Sequence, residues 1–147
     1  MSRRRTHRPR SSPAPLRCAD GAVDLIEVVS QHPIRAETIC LLTDDAYLPV
    51  SCIVVEGGGR PDDVFDIVEL IAELSLTQPI AHVALSSCRP GVGFDLSDVD
   101  RWHELSVTLA DHGVELLEWF IRDEVVTVAV TPLAGEPPRW PPSYAAP

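Results

Sequence analysis

The sequence predicts one mixed α/β domain, and three observations support this prediction. Hydrophobic residues recur alternately with helical and strand periods through the middle of the chain. Both ends of the 147-residue chain are rich in arginine or proline instead, a composition typical of segments without a core. The predicted elements follow the order α-β-β-α-β-α-β-β, which favours a mixed central sheet flanked by helices.

Composition divides the chain into three parts. Residues 1–18 form an Arg- and Pro-rich leader, and residues 132–147 form a Pro-rich tail. We expect both segments to be disordered, because proline interrupts backbone hydrogen bonding and little apolar surface is available for burial. The folded domain is expected over residues 19–131, where the hydrophobic content is sufficient for one core. Trp140 in the tail is expected to be exposed and able to anchor a partner.

The first half of the domain contains two helical patterns and a hairpin pattern. An amphipathic helix is predicted over 22–30, and Pro33 prevents its continuation. The β-branched runs 37–43 and 47–55 predict two strands joined by a short acidic turn. A run of three glycines then separates this hairpin from a helix predicted over 61–76, which starts favourably with proline.

The second half predicts a buried strand, a helix and a final hairpin. The apolar run 80–85 is typical of a central strand covered on both faces. A helix is predicted to begin at Ser97 and to end at Gly113, a natural helix C-cap residue. Strands over 114–121 and 125–131 are predicted to complete the sheet.

Charge and cysteine content limit the classes of function. The first 17 residues contain six of the 12 basic residues and no acid. The rest of the chain contains the other six basic residues and all 22 acids, which gives it a net charge of −16. Such a body repels nucleic acid, and only the Arg-rich leader is suited to contact it. No apolar run approaches the roughly 20 residues of a membrane span, and no apolar signal region follows the leader. Four separated cysteines without a CxxC pair favour free thiols and a cytoplasmic location.

One segment is particularly informative because a strand leads into a Pro-Gly loop and then into a helix. It consists of Leu85-Ser86-Ser87-Cys88-Arg89-Pro90-Gly91 followed by Ser97-Asp98-Val99-Asp100. This layout resembles the JAB/MPN (JAMM) metallopeptidase family, especially its RadC-like branch. The resemblance covers about residues 20–131 and includes three further segments: Ala36 to Asp44, Gly57 to Phe65 and Glu115 to Trp119.

The resemblance implies a zinc site whose main ligands are missing. In the family a His-x-His pair ends the strand, and the Asp of a Ser-x-x-Asp motif completes the site. Ser86 and Cys88 stand at the histidine positions, whereas Asp100 matches the third ligand. Glu37 matches the catalytic base, and Ser97 matches the serine of the motif, although it lies nine residues after Cys88 where the family usually has eight.

The loss of two imidazoles predicts the loss of the peptidase chemistry, because zinc sites depend on three or four strong donors acting together. We therefore expect a RadC-like JAB-domain protein that is not an enzyme, needs no cofactor and acts through an unidentified protein partner. One alternative is a zinc hydrolase or isopeptidase rebuilt on Glu37, Cys88 and Asp100. Another is a nucleic-acid accessory protein that binds through its leader.

Each candidate residue also has a structural interpretation. Glu37 is then a solvated or edge-strand carboxylate, and Ser97 with Asp100 is a helix cap. Cys88 is either a small buried residue or a thiol whose pKa is lowered by Arg89 and a helix N-terminus. His82 lies four residues before Ser86, about 13 Å along a strand, too far to share an ion with Cys88.

Overall fold

The computed structural model describes residues 4–7, 14–57 and 59–142. These residues form one six-stranded mixed sheet in the order β1-β3-β2-β4-β5-β6, with helices on both faces. The prediction of a mixed α/β domain with a helix-flanked sheet is confirmed. The strands are β1 (Arg4–His7), β2 (Glu37–Thr43), β3 (Pro49–Glu56), β4 (His82–Cys88), β5 (Glu115–Arg122) and β6 (Thr127–Ala129). The helices are α1 (Ala19–Val29), α2 (Val64–Leu74), α3 (Asp98–Asp111) and α4 (Val130–Leu133).

The two middle strands of the sheet carry the region of the family resemblance. Strand β2 is antiparallel to both β3 and β4, whereas β4 and β5 are parallel. A parallel pair requires a crossover connection, and helix α3 supplies it. The N-terminus of α3 therefore lies at the same end of the strands as the C-terminal ends of β4 and β5.

Each face of the sheet has its own hydrophobic core. Helices α2 and α3 cover one face, where Trp102 and Leu105 pack with Leu85 and Trp119. Helix α1 covers the other face, where Ile26 joins a cluster that includes Ile39, Ala84 and Phe120. Because side chains alternate along a strand, neighbouring residues of β4 project toward different helices.

Strand β4 ends at Cys88, three residues beyond the end that the apolar pattern predicts. The ladder continues because Ile39 and Glu37 of β2 pair with Ser86 and Cys88. Both positions therefore lie inside a strand, with fixed side-chain directions, and not in the following loop.

The structure describes part of each end of the chain. Residues Arg4–His7 pair with β3 at the edge of the sheet. A polar sequence can do this because edge pairing requires only backbone N–H and C=O groups. Residues 1–3 and 8–13 of the leader, and residues 143–147 of the tail, lie outside the described residues.

The tail packs back onto the domain. The predicted strand 125–131 is shorter, because helix α4 begins at Val130 and the buried Glu118 carboxylate accepts hydrogen bonds from the amide and hydroxyl of Thr131. Further on, the Arg139 guanidinium lies 4.6 Å from the centre of the Trp102 ring and donates to Ser106 at 2.7 Å. Trp140 is partly buried against the core under α1, so the prediction of an exposed anchor was wrong.

Candidate functional site at the end of strand β4

A row of polar side chains crosses the sheet where the family resemblance places the catalytic centre. Glu37 of β2 pairs with Cys88 of β4, which in turn pairs with Arg122 of β5. Paired residues of neighbouring strands project to the same face of a sheet. All three residues are buried, and they lie on the α1 face, because Ser86 next to them pairs with Ile39 of the α1 core.

Arg122 attaches helix α1 to this row. One guanidinium nitrogen, Nη1, donates to Ser30 Oγ at 2.8 Å, and Nη2 donates to the carboxylate of Glu27. Both partners belong to the last turn of α1 and the residue after it. The C-terminal end of α1 is therefore held over the ends of β4 and β5 by a charged hydrogen-bonding group.

Glu37 is enclosed by the segment that follows α1. Its Oε1 atom accepts a hydrogen bond from the backbone amide of Gln31 at 3.2 Å. The side chain of Gln31 donates to Glu56, the partner of Glu37 on β3, at 2.8 Å. The interpretation of Glu37 as a solvated or edge-strand carboxylate was wrong, because β2 lies inside the sheet and the side chain is buried.

The environment of Cys88 disfavours the thiolate form of its side chain. Burial raises the pKa of Cys88, and Glu37 raises it further, whereas Arg122 acts in the opposite direction. One of the two interpretations of Cys88 required the neighbouring Arg89 to lower this pKa. Arg89 does not do so, because its side chain turns toward α3, on the other face of the sheet.

Arg89 forms a buried ion pair with the first residue of helix α3. Its Nη1 and Nη2 atoms donate to the two carboxylate oxygens of Asp98 at 2.7 and 3.1 Å. The side chains are 1% and 0% exposed. Nη1 also approaches the carbonyl of Gly93 at 3.3 Å, and the guanidinium lies 5.5 Å from the centre of the Trp119 ring. The end of β4 and the start of α3 are thus joined by a bidentate contact.

The N-terminus of α3 is capped by different residues from those predicted. The Asp98 carboxylate accepts a hydrogen bond from the Asp95 amide at 2.8 Å, and the Asp95 carboxylate accepts one from the Ser97 amide at 3.4 Å. Ser97 has helical backbone angles and forms no side-chain cap. The expected cap of Ser97 and Asp100 was therefore wrong, because the helical turn starts two residues earlier with an Asp-x-x-Asp pair.

Arg101 extends the Arg89–Asp98 pair toward α2. Its Nη1 atom donates to Ser97 Oγ at 2.6 Å and to Asp98 Oδ1 at 3.0 Å, and its Nε donates to Asp62 at 2.8 Å. Asp62 belongs to the 3-10 turn Pro61–Asp63 that leads into α2. A chain of ion pairs therefore links the loop after β3, the first turn of α3 and the end of β4.

The residues of the rebuilt zinc site do not come together. Glu37 and Cys88 face each other under α1, whereas Asp100 is exposed on α3, which packs on the other face of the sheet. Within residues 4–7, 14–57 and 59–142, no cluster of three His, Cys, Asp or Glu side chains has a geometry that could hold a metal ion. The donors at the resemblance positions also fit zinc poorly, because Ser86 is a hydroxyl and the ligand form of Cys88 is the thiolate that burial disfavours.

Sequence reasoning missed Arg122 and Asp98 and gave Arg89 a different role. A single arginine at the end of the apolar strand 115–122 is a signal for a buried ion pair, because an arginine is seldom buried without a partner. His82 is held elsewhere, at the opposite end of β4. Its ring stacks on Tyr47 with centroids 4.0 Å apart, and its Nδ1 lies 3.0 Å from the carbonyl of Asp44.

Comparisons of this chain with protein-family models, with curated proteins and with solved structures found no match. In the part of the chain that the structure describes, the helices are too short or too polar to cross a membrane.

Proposed function

We propose that this chain is a RadC-like JAB-domain protein that has lost the metallopeptidase chemistry and acts by binding another protein. The buried pair of Arg89 and Asp98 is the observation that carries this proposal. In the zinc family that the sequence resembles, the metal joins the end of a strand to the first turn of the next helix. Here a guanidinium and a carboxylate join the corresponding elements, β4 and α3.

The arrangement of the elements supports the proposed relationship. Strand β4 carries Ser86 and Cys88, and the helix with Ser97 and Asp100 follows after a Pro-Gly loop. The position of the catalytic base, Glu37, lies on the adjacent strand directly opposite Cys88. A family base must be close to the ligand positions, since it takes a proton from the metal-bound water.

The burial of Glu37 argues against a retained hydrolytic role. A general base must come within about 3 Å of the water that it deprotonates. Glu37 is instead buried opposite Cys88, and its Oε1 atom accepts a hydrogen bond from the Gln31 amide. A peptide substrate would have to displace the end of α1 to reach it, against the contacts of Arg122 with Glu27 and Ser30.

Elemental analysis tests the proposal directly. The untagged protein, purified without chelator, is compared with a Cys88→Ser variant, and both are assayed with peptide and isopeptide substrates beside Glu37→Ala. We expect neither protein to contain stoichiometric zinc, and we expect no hydrolysis that depends on Glu37. Stoichiometric zinc that is lost in Cys88→Ser, or activity that is lost in Glu37→Ala, would overturn the proposal in favour of a rebuilt hydrolase.

A further inference from the structure

A shallow groove lies between α2 and α3, on the surface away from α1. Helix α2 lines it with Glu69, Ala72 and Glu73, and the turn after α2 lines it with Leu76. On the other side the groove is lined by Thr108 of α3 and by His112, the residue after that helix. The three α2 positions are spaced i, i+3 and i+4, so they lie on one face of the helix. The groove therefore runs between two neighbouring helices and is open to solvent.

The walls of the groove combine apolar surface with acidic charge. Ala72 is buried, whereas Leu76 at one end is 79% exposed. Glu69 and Glu73 are exposed on the same face of α2. An exposed leucine alone needs no explanation, but Leu76 stands at the end of a groove whose lining is mostly apolar and whose border carries two carboxylates.

The charges indicate the chemistry of the occupant. Two carboxylates at the groove, on a body with a strongly acidic balance, attract lysine and arginine and repel acidic partners. A second copy of this chain would bring the same glutamates together across a symmetric contact, which like-charge repulsion disfavours. A groove between two helices is a known docking geometry for an amphipathic helix, whose apolar side chains recur with i, i+3, i+4, i+7 spacing.

We propose that this groove binds a basic amphipathic helix of a partner protein. The apolar stripe of that helix lies on Ala72 and Leu76, and its flanking lysine or arginine side chains pair with Glu69 and Glu73. This inference rests on the proposed function as a protein-binding domain, and it specifies the surface and the partner chemistry. It requires nothing of the Glu37 and Cys88 row, which lies on the opposite face of the sheet.

The test uses synthetic helices because their charge can be reversed while the apolar stripe is kept. One peptide of about five helical turns contains leucine and lysine, and its counterpart contains leucine and glutamate. Binding to the full chain is measured by isothermal titration calorimetry at about 0.15 M ionic strength, where long-range attraction is screened. We expect saturable one-to-one binding of the leucine-lysine helix only, with hydrogen-exchange protection confined to α2 and α3.

Matched variants distinguish peptide binding in the groove from nonspecific attraction to the acidic surface. Leu76→Asp, and the double variant Glu69→Gln with Glu73→Gln, are each expected to weaken binding by about tenfold or more. Val125→Asp changes an apolar residue that is 92% exposed elsewhere, and Asp20→Asn with Asp24→Asn removes two exposed charges from α1. Both controls are expected to leave binding unchanged, with circular dichroism verifying the fold of every variant.

Four results would overturn the inference: no binding, equal binding of the leucine-glutamate helix, equal loss of affinity in the groove and control variants, or exchange protection outside α2 and α3. Failure of the proposed function has a different signature, namely zinc or Glu37-dependent hydrolysis, and is detected without the peptide. Peptide binding in a protein that also contains zinc would leave the groove assigned and remove only the claim that the domain is not an enzyme.

Discussion

Arg89 and Asp98 form a buried bidentate ion pair that joins the end of β4 to the start of α3. The side chains of the adjacent residues Cys88 and Arg89 project to opposite faces of the sheet. Cys88 therefore contributes to the row of side chains under α1, whereas Arg89 joins β4 to α3.

Breaking this pair from one side should strongly destabilise the fold. Asp98→Ala leaves a buried guanidinium without its main partner, and such losses cost about 3–5 kcal/mol. Urea unfolding followed by tryptophan fluorescence measures the change in the free energy of unfolding. Arg89→Met combined with Asp98→Leu should recover most of the loss, because an apolar pair of similar volume removes both charges.

The control for this experiment is Asp62→Ala. Asp62 also pairs with an arginine, Arg101, but its side chain is 77% exposed. Solvent screening should limit the cost to less than about 1 kcal/mol. Equal decreases in the free energy of unfolding for Asp62→Ala and Asp98→Ala would contradict a special contribution of the buried pair.

Removing the attachment of α1 should loosen that helix more than the rest of the domain. Arg122→Met retains much of the apolar stem but loses the hydrogen bonds to Ser30 and Glu27. Hydrogen bonds of charged groups contribute about 1.5–3 kcal/mol each when buried. We expect faster amide exchange in α1 and little change in α3, whereas Glu27→Gln, at the more exposed partner, should have a smaller effect. Uniform acceleration across all helices would show that Arg122 supports the whole fold instead.

Thiol labelling should separate the four cysteines by accessibility and pKa. Cys18 is exposed, whereas Cys40 and Cys88 are buried and burial raises the pKa of each. Burial also raises the pKa of Cys52, to about 11. With a disulfide reagent near neutral pH, we expect one fast thiol that Cys18→Ser abolishes and slow reaction of the half-buried Cys52. Cys40 and Cys88 should react only as the protein opens. A fast phase that remains in Cys18→Ser and is lost in Cys88→Ser would restore the reactive-thiol hypothesis.

Glu118 should make the stability of the folded protein depend on pH, and Glu118→Gln should remove this dependence. Burial raises the pKa of Glu118 above its ordinary value, against the hydrogen bonds from Thr131 and the Trp119 amide, which lower it. The folded state therefore holds this proton more tightly than the unfolded state. Its contribution to stability is fully present below the ordinary glutamate pKa and is lost as the pH rises through the raised value.

The measurement is denaturant unfolding of the two proteins from about pH 4 to pH 7. As the pH rises, the free energy of unfolding of the natural protein should decrease relative to that of Glu118→Gln. Glu104→Gln, on the exposed face of α3, is the control and should show no such trend. A difference that is constant with pH would contradict this account of Glu118.

Some features of this chain follow from local chemistry and are readable in the sequence. The β-branched run 37–43 forms β2 with those bounds, because strand preference and burial agree along its whole length. Gly113 follows the last turn of α3 with a positive φ of 74°, as a glycine after a helix C-terminus does. The alternation of helical and strand periods determined the mixed α/β class by itself.

Other features depended on which strands became neighbours. The pairing of β2 with β4 extended β4 to Cys88 and buried Glu37 inside the sheet, and the pairing of β4 with β5 placed Arg122 next to Cys88. These pairings also assigned Cys88 to the α1 face and left Arg89 to meet Asp98. None of these relationships is local in the sequence, since strand register and the face of each side chain are decided by contacts between distant segments. The sequence by itself determined the elements and the residue types at the site, and the tertiary structure decided which charges met and which became buried.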